Sequence, residues 1–405
     1  MTSRERVLAT LRFHTPDRLP KDLGGMLSTG ISAFAYPKLV QALGLPPRLP
    51  RIYDSGQMLA MPDLDVLDAL GCDCVVVTYG ATNAIEQPEL WHPYDFNGRL
   101  PALVRNPHAY EVQPDGSILQ HRRLRMAPAS YVFDEEHGGQ PVDWSGELPM
   151  YDLKQYKRSL EQRVLRDEQI VALRELCRRV RESTDRAVFL SEGSITPDIS
   201  IHSHGGMAVF PILCLTEPDY VRALHEIEVE HTLGNIRRLL PEIAPYVDII
   251  MAAADDWGTQ TSTIASPKVF RELFLPYRKR INDEFHRLAP QAAVFLHSCG
   301  AIYDLIDLMI EAGFDVLNPV QWCAGTHSYK EWKDKARRRI ALWGGGVNSQ
   351  ATLPLGNVQD VERETRQVVA YMKQDNGYVF CNIHNILAEI PPEKVIAMYR
   401  AAAEA

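Results

Sequence analysis

His297 and Cys299 stand two residues apart at the end of a short apolar run. On an extended strand, residues i and i+2 face the same side, so the pair presents an imidazole and a thiol to one place. That donor set suits zinc, which takes nitrogen and sulfur ligands in tetrahedral geometry. Taken alone, such a pair is more often a hydrogen-bonded core histidine beside a small buried cysteine. A metal needs a third protein donor, and Cys381 and His384 are both offered near the C-terminus. Three protein donors with a fourth position open is the arrangement of catalytic zinc rather than structural zinc. The plainer reading of His384 and Asn385 is a turn or a substrate contact.

Further polar residues follow apolar runs in the same way. Asp255-Asp256-Trp257-Gly258-Thr259-Gln260 comes after one of them, and Glu192 after another. A carboxylate in such a place can act as a base, orient a ligand or accept a substrate hydrogen bond. Glu192, Asp255 and Gln260 are therefore candidates for orienting substrate or moving a proton. Tyr79, Asp256, Trp257, Asn318, Gln321 and Trp322 are candidate substrate contacts, the aromatic ones as walls. His202 and His204, before Gly205-Gly206, are either solvated loop residues or contacts at the mouth. Cys72 and Cys74 read as core. Gly344, Gly345 and Gly346 let backbone approach a ligand closely. They lack the spacing and helix start of a dinucleotide site, which excludes NAD.

These residues need a frame that brings distant segments together. Eight short apolar runs recur, at residues 19–23, 74–78, 187–191, 247–252, 292–297, 314–319, 340–343 and 378–382. Runs this short and this continuously apolar fit strands buried on both faces of a parallel sheet. Helical patterns lie between them. Ser266-Pro267 is an N-cap followed by proline, residues 302–312 end at Gly313, residues 358–373 close at Asn376-Gly377, and Pro391-Pro392-Glu393 opens the last helix. Eight strands alternating with helices predict an α/β fold, a single (β/α)8 TIM barrel over residues 1–405, with a doubly wound open sheet as runner-up. Barrel active sites sit at the C-terminal strand ends, and every candidate above falls there. Residues 80–150 break the rhythm and read as an extension after the second strand, with some antiparallel pairing over one end of the barrel.

Composition removes several classes of function. The 405 residues carry 43 Lys and Arg against 52 Asp and Glu, a net charge of -9, which argues against a nucleic-acid partner. Seven scattered cysteines are an odd number, pointing to a reducing compartment rather than a disulfide framework. No run approaches the roughly 18 apolar residues of a membrane span, and the charged N-terminus is no signal core. A cytoplasmic protein with no membrane partner is expected, with a homodimer as the commonest assembly.

Several stretches in order carry a resemblance. They are Thr2-Ser3-Arg4-Glu5-Arg6-Val7, Thr15-Pro16-Asp17-Arg18-Leu19-Pro20, Asp255-Asp256-Trp257-Gly258-Thr259-Gln260, Ser266-Pro267, His297-Ser298-Cys299-Gly300, Leu317-Asn318-Pro319-Val320-Gln321, Trp343-Gly344-Gly345-Gly346-Val347 and His384-Asn385-Ile386. Together they resemble the uroporphyrinogen decarboxylase-like superfamily over essentially the whole chain, which implies a (β/α)8 barrel. True decarboxylases carry an Arg-Gln-Ala-Gly-Arg type segment near the first strand that binds porphyrinogen carboxylates. This chain has Lys21-Asp22-Leu23-Gly24-Gly25 there.

The superfamily's other branch comprises cobalamin-dependent methyltransferases. Members acting on coenzyme M bind zinc through His-x-Cys and a later Cys. The resemblance places His297 and Cys299 as the first two ligands and His384 in the third position, a Cys-to-His departure, with Cys381 as a possible replacement or neighbour. One fewer thiolate leaves a more electrophilic metal, suited to activating an ether or amine methyl donor. The chain lacks the Asp-x-His-x-x-Gly corrinoid signature; its nearest approach is Ser200-Ile201-His202-Ser203-His204-Gly205. The resemblance thus implies a zinc-dependent methyltransferase whose cofactors are zinc and a corrinoid (cobalamin) carried by a partner protein. A methoxylated aromatic is the first choice of small methyl donor. The alternatives are a metal-free decarboxylase or lyase centred on Asp255, and a catalytically idle barrel that binds a partner.

Overall fold

The computed structural model describes residues 1–134 and 148–405. Seven parallel strands form its centre: β1 (Cys74–Thr78), β2 (Ala187–Ser191), β3 (Ile249–Ala254), β4 (Ala293–His297), β5 (Val316–Asn318), β6 (Ala341–Trp343) and β7 (Tyr378–Val379). Each pairs with its neighbours in chain order. Consecutive pairing of parallel strands, with helices outside, is barrel winding; a doubly wound sheet would reverse its order at a switch point.

The ring closes through the expected first strand at residues 19–23, reduced to a short stave. Phe380 N donates to Pro20 O (2.9 Å), Asp22 N to Phe380 O (2.9 Å) and Asp73 N to Lys21 O (2.7 Å). Pro20 has no N–H to give, so the stave is a bridge at Lys21 rather than a ladder. Other strands are shorter or shifted relative to their apolar runs. Residues 247–252 become Ile249–Ala254, and residues 378–382 become Tyr378–Val379. Burial extends past the last ladder bond, which is why the apolar run overstates the strand.

Inward-facing side chains alternate along the staves, with Phe189, Met251, Phe295, Trp343 and Cys381 in one interior cluster. Helix α1 (Ser3–Leu11), capped by Thr2 and Glu5, adds Val7 and Leu11 to that cluster and plugs the N-terminal end. The expected outer helices are present. Ser266 caps Pro267–Leu273, Asn357 caps Val358–Met372, and Pro392–Glu404 closes the chain. The predicted helix at 302–312 is a 3-10 turn, Tyr303–Leu305, running into Ile306–Glu311. Among the described residues, no helix is long and apolar enough to cross a membrane.

Three aspartates at the N-terminal end stitch the staves together. Asp73, Asp248 and Asp315 immediately precede β1, β3 and β5. Each accepts a backbone N–H from the stave before its own: Lys21 N to Asp73 (3.0 Å), Val188 N to Asp248 (2.9 Å) and Val294 N to Asp315 (2.8 Å). Arginines compensate the two buried ones, Asp73 and Asp248, while the part-exposed Asp315 pairs with His286 (2.9 Å). Arg6 and Arg18 reach Asp73 at 2.6 and 2.7 Å, and Arg4 and Arg181 reach Asp248 at 2.7 and 2.5 Å.

The expected extension contains antiparallel pairs. His92–Asp95 pairs with Pro101–Val104, and Ile118–Gln120 pairs with both Tyr110–Val112 and Leu124–Met126. Residues 135–147 of that expectation lie outside the described residues. A small sheet of Ile31–Ser32, Leu59–Ala60 and Ile52–Asp54 was not foreseen. It joins the extension through Arg51 and Leu103. Arg105 donates to Tyr79 O (2.7 Å), tying the extension to the barrel mouth.

Asp73→Ala takes one of two carboxylates from Arg6, which keeps Asp17 at 2.7 Å, and leaves the buried Lys21 N–H without its acceptor. Leaving a buried donor unpaired costs about 1–3 kcal/mol. Urea denaturation should show a lower midpoint by that amount, with a smaller loss for Asp73→Asn, whose amide still accepts from Lys21.

Candidate metal centre

β4 and β5 carry the inward alternation to the mouth. Ala293 and Phe295 face the interior, so His297 faces it next; Val316 does likewise, and Asn318 follows. The loop after β4 is held on two sides. Ser298 N donates to Asn318 O (2.8 Å), and Gln321 Oε1 accepts Gly300 N (2.8 Å). Gly258 N donates to Cys299 O (3.0 Å). A Cβ at Gly258 would lie 2.4 Å from Ala301 N, so this crossing requires glycine.

Asn318 settles the histidine's tautomer. Its Nδ2 donates to Trp343 O (2.9 Å), which turns Oδ1 toward His297 Nδ1 at 2.7 Å. Ser28 Oγ lies 2.9 Å from the same nitrogen and donates to Asn318 Oδ1 (3.0 Å). Nδ1 therefore carries the ring proton, and Nε2 presents its lone pair to the mouth. Such an outer partner is what a metal-ligating histidine ordinarily has.

Cys299 Sγ lies 3.3 Å from His297 Nε2. The donor atoms of His297, Cys299 and His384 all fall within 4.8 Å of one another. A tetrahedral zinc with bonds of about 2.0–2.3 Å sets its donors about 3.3–3.8 Å apart, so small side-chain movements complete the set. Burial, with Asp256 beside it, pushes the Cys299 thiol well above its ordinary range. Burial and the nearby His297 ring hold His384 down at about 4. Without metal Cys299 is thus a thiol and His384 a neutral imidazole. A divalent cation held there would displace the thiol proton.

His297 and His384 open on a cavity of about 600 Å³ at the C-terminal strand ends, with Cys299 behind them. His297, His384, Asp256, His202, Tyr79 and Met251 are among its lining, and among the described residues no Lys or Arg is. Asp256 Oδ1 accepts Cys299 N (2.8 Å) and lies 3.5 Å from His297 Nε2. Tyr79 has a φ of 45°, and its ring lies against Gly193, where a Cβ would meet the hydroxyl at 3.1 Å.

The other candidates lie elsewhere. Asp255 is buried, with its oxygens taken by Ser200 Oγ (2.6 Å), Ile201 N (3.1 Å), Trp257 Nε1 and Arg278 (3.6 Å). Its carboxyl is raised by burial, against the pull of Arg278. Trp257 packs edge-on against Phe270 and Phe274 and is core, not wall. Trp322 donates to Gly345 O (2.8 Å) and braces the rim. Gln260 bonds to Gln350 (3.0 Å) across the rim. Glu192 lines a neighbouring cavity that also touches Tyr79, its carboxyl raised by burial.

Cys381, the alternative ligand, is corrected to core. It continues the inward alternation from Val379 and packs among Cys74, Phe189 and Trp343. Cys72 and Cys74 are buried, as expected. Ser28 and Gln57 were missed. Ser28 sits in a 3-10 turn, Leu27–Thr29, and Gln57 accepts from Asn385 Nδ2 (2.7 Å). Both come from segments far from β4 in the chain, and no local motif marks them.

The profile of the uroporphyrinogen decarboxylase (URO-D) family matches residues 152–405. The match covers more than half of the chain and includes all three donors. The uroporphyrinogen decarboxylase of Syntrophotalea carbinolica is 29% identical over 139 residues, 34% of this chain and 36% of that protein. The match thus spans about a third of the length of that curated relative. A solved structure, a methyltransferase from Methanosarcina mazei, aligns over 100% of this chain and 99% of its own with a TM-score of 0.55 and 16% identity. At that identity the likeness shows the fold. The chain belongs to the uroporphyrinogen decarboxylase family.

Nitrogen-15 spectra of metal-free protein should show His297 as the tautomer protonated at Nδ1, and Asn318→Leu should lose that preference. His384 should titrate near 4 rather than at the ordinary 6.5. The folded state refuses a proton that the unfolded chain accepts. The stability held here is therefore lost as pH falls from about 6.5 toward 4.

Proposed function

We propose that this member of the uroporphyrinogen decarboxylase family is a zinc-dependent methyltransferase. It moves a methyl group from a small methylated donor, by first choice a methoxylated aromatic, to the cobalt of a separate corrinoid protein. The observation that carries the reading is the convergence of the His297, Cys299 and His384 donor atoms within 4.8 Å, with both histidines lining the mouth cavity. When bound, zinc supplies Lewis-acid polarisation of the donor's heteroatom, which makes the methyl carbon a better target.

The protein's own groups account for the rest. Asn318 and Ser28 hold His297 with Nε2 toward the cavity. Asp255, fully paired, fixes the loop that carries Asp256 and holds Asp256 against Cys299 N. Tyr79, Met26, Leu27 and Met251 give the cavity apolar surface for a ring, and its volume is in the range that small ligands fill. Gln260 and Gln350 brace the rim rather than reach the donor. Glu192 lines the neighbouring cavity that shares Tyr79 with this one, and its assigned part is to orient a substituent that reaches past that ring.

The lining supports methyl transfer over decarboxylation of a porphyrinogen. Burying many carboxylates needs paired cations, and among the described residues no Lys or Arg lines the cavity. Lys21, in the segment where the decarboxylases carry arginines, is buried and bonds to Tyr399 O (3.4 Å).

Elemental analysis should find one zinc per chain, lost in His297→Ala and in Cys299→Ala. Full metal retention in both variants would sink the reading. With a panel of methyl donors and cob(I)alamin, wild type should form methylcobalamin, and either variant should be slower by about 100-fold or more.

A further inference from the structure

Asp256 stands closer to the metal position than a substrate contact requires. Its Oδ1 lies 3.5 Å from His297 Nε2, and Cys299 Sγ lies 3.3 Å from the same nitrogen. Asn318 and Ser28 take Nδ1, so Nε2 is the nitrogen turned toward Asp256. At 3.5 Å the carboxylate oxygen is beyond ordinary hydrogen-bond distance from it. The Asp256 side chain is itself 37% exposed, so its carboxylate has room to meet a cation beside His297 and Cys299. The 3.5 Å separation also falls within the roughly 3.3–3.8 Å between donors on one tetrahedral zinc.

We infer that Asp256 is a fourth, exchangeable ligand to the metal held by His297, Cys299 and His384. It closes the coordination shell at rest and gives way when a neutral methyl donor arrives. The inference rests on the metal reading above. Charge explains the use of such a ligand. A divalent cation with the Cys299 thiolate and two neutral imidazoles carries one net positive charge. The Asp256 carboxylate cancels it, while a neutral ether oxygen leaves it in place. Electrophilic character is thus masked until a donor occupies the site, and water is kept from the fourth position.

The Cys299 N–H, bonded to Asp256 Oδ1 at 2.8 Å, gives the carboxylate a resting place beside the metal position. The exchange swaps one oxygen donor for another and moves no proton. Asp255 cannot serve in this way, since Ser200, Ile201, Trp257 and Arg278 occupy its oxygens.

Cobalt(II) loaded into the metal-depleted full chain reads coordination without turnover. Thiolate-to-cobalt charge-transfer absorbance follows the number of thiolate ligands. Asp256→Cys should about double that absorbance relative to wild type. Asp256→Asn should alter the ligand-field bands and weaken cobalt binding by at least about 10-fold in competition with a chelator. Anisole added to the wild type should shift its ligand-field bands toward those of Asp256→Asn. Single-thiolate absorbance in Asp256→Cys, with wild-type bands and affinity in Asp256→Asn, would overturn the inference while leaving the three-donor site standing. A wild type that takes up neither cobalt nor zinc would instead remove the metal reading, and the inference with it.

Discussion

A ring of parallel strands must leave no backbone group of its buried staves without a partner. In this chain that demand is hardest to meet at the closure, where Pro20 supplies only a carbonyl and the stave is a single bridge wide. The Asp73 side chain makes up the deficit. It takes the Lys21 N–H that a regular ladder would have paired, while its own N–H bonds to Lys21 O. The same device recurs at Asp248 and Asp315, each ahead of an alternate strand. The buried Asp73 and Asp248 need cations, and α1 brings Arg6 and Arg4 to them while its apolar face plugs the barrel. The N-terminal helix, the aspartates and the ring closure therefore depend on one another.

The opposite end of the same strands is organised for ligands. Inward alternation that buries Phe295 and Val316 in the interior delivers His297 and Asn318 to the mouth. Asn318 then holds one bond to Trp343 O and one to His297 Nδ1, so the amide's orientation follows from the strand beside it and fixes the tautomer. The loops after β3 and β4 cross at Gly258 and Gly300, too closely for any side chain. That crossing places Asp256 against Cys299.

The two neighbouring acids show how environment divides labour. Asp255 and Asp256 follow the same strand, yet the first faces Arg278 and a set of donors beneath the loop, and the second faces the cavity. The charge that Asp255 carries is spent on structure, which leaves Asp256 with the reach to interact with whatever occupies the donors. Among the described residues, no Lys or Arg side chain lines the cavity that Asp256 faces.

Much of this was legible in one dimension. The apolar runs located seven strands to within a few residues, because burial on both faces leaves little room for polar residues in a parallel strand. His-x-Cys at a strand end was readable because strand geometry is local. The first stave was overstated, because an apolar run records burial and not ladder bonds. Cys381 and His384 could not be separated by spacing; the alternation from Val379 and the turn after Asn382 put one inside the barrel and the other at its mouth. Ser28, distant in sequence, gave no local sign of its contact with His297. Nor did the sequence distinguish Asp255 from Asp256, since which of two adjacent carboxylates meets Arg278 depends on a helix packed from elsewhere. Residue types and short-range geometry determined the fold class and the donor chemistry. Only the tertiary structure decided which donors meet, which proton each holds and which acid faces the cavity, because those are set by contacts between residues far apart in the chain.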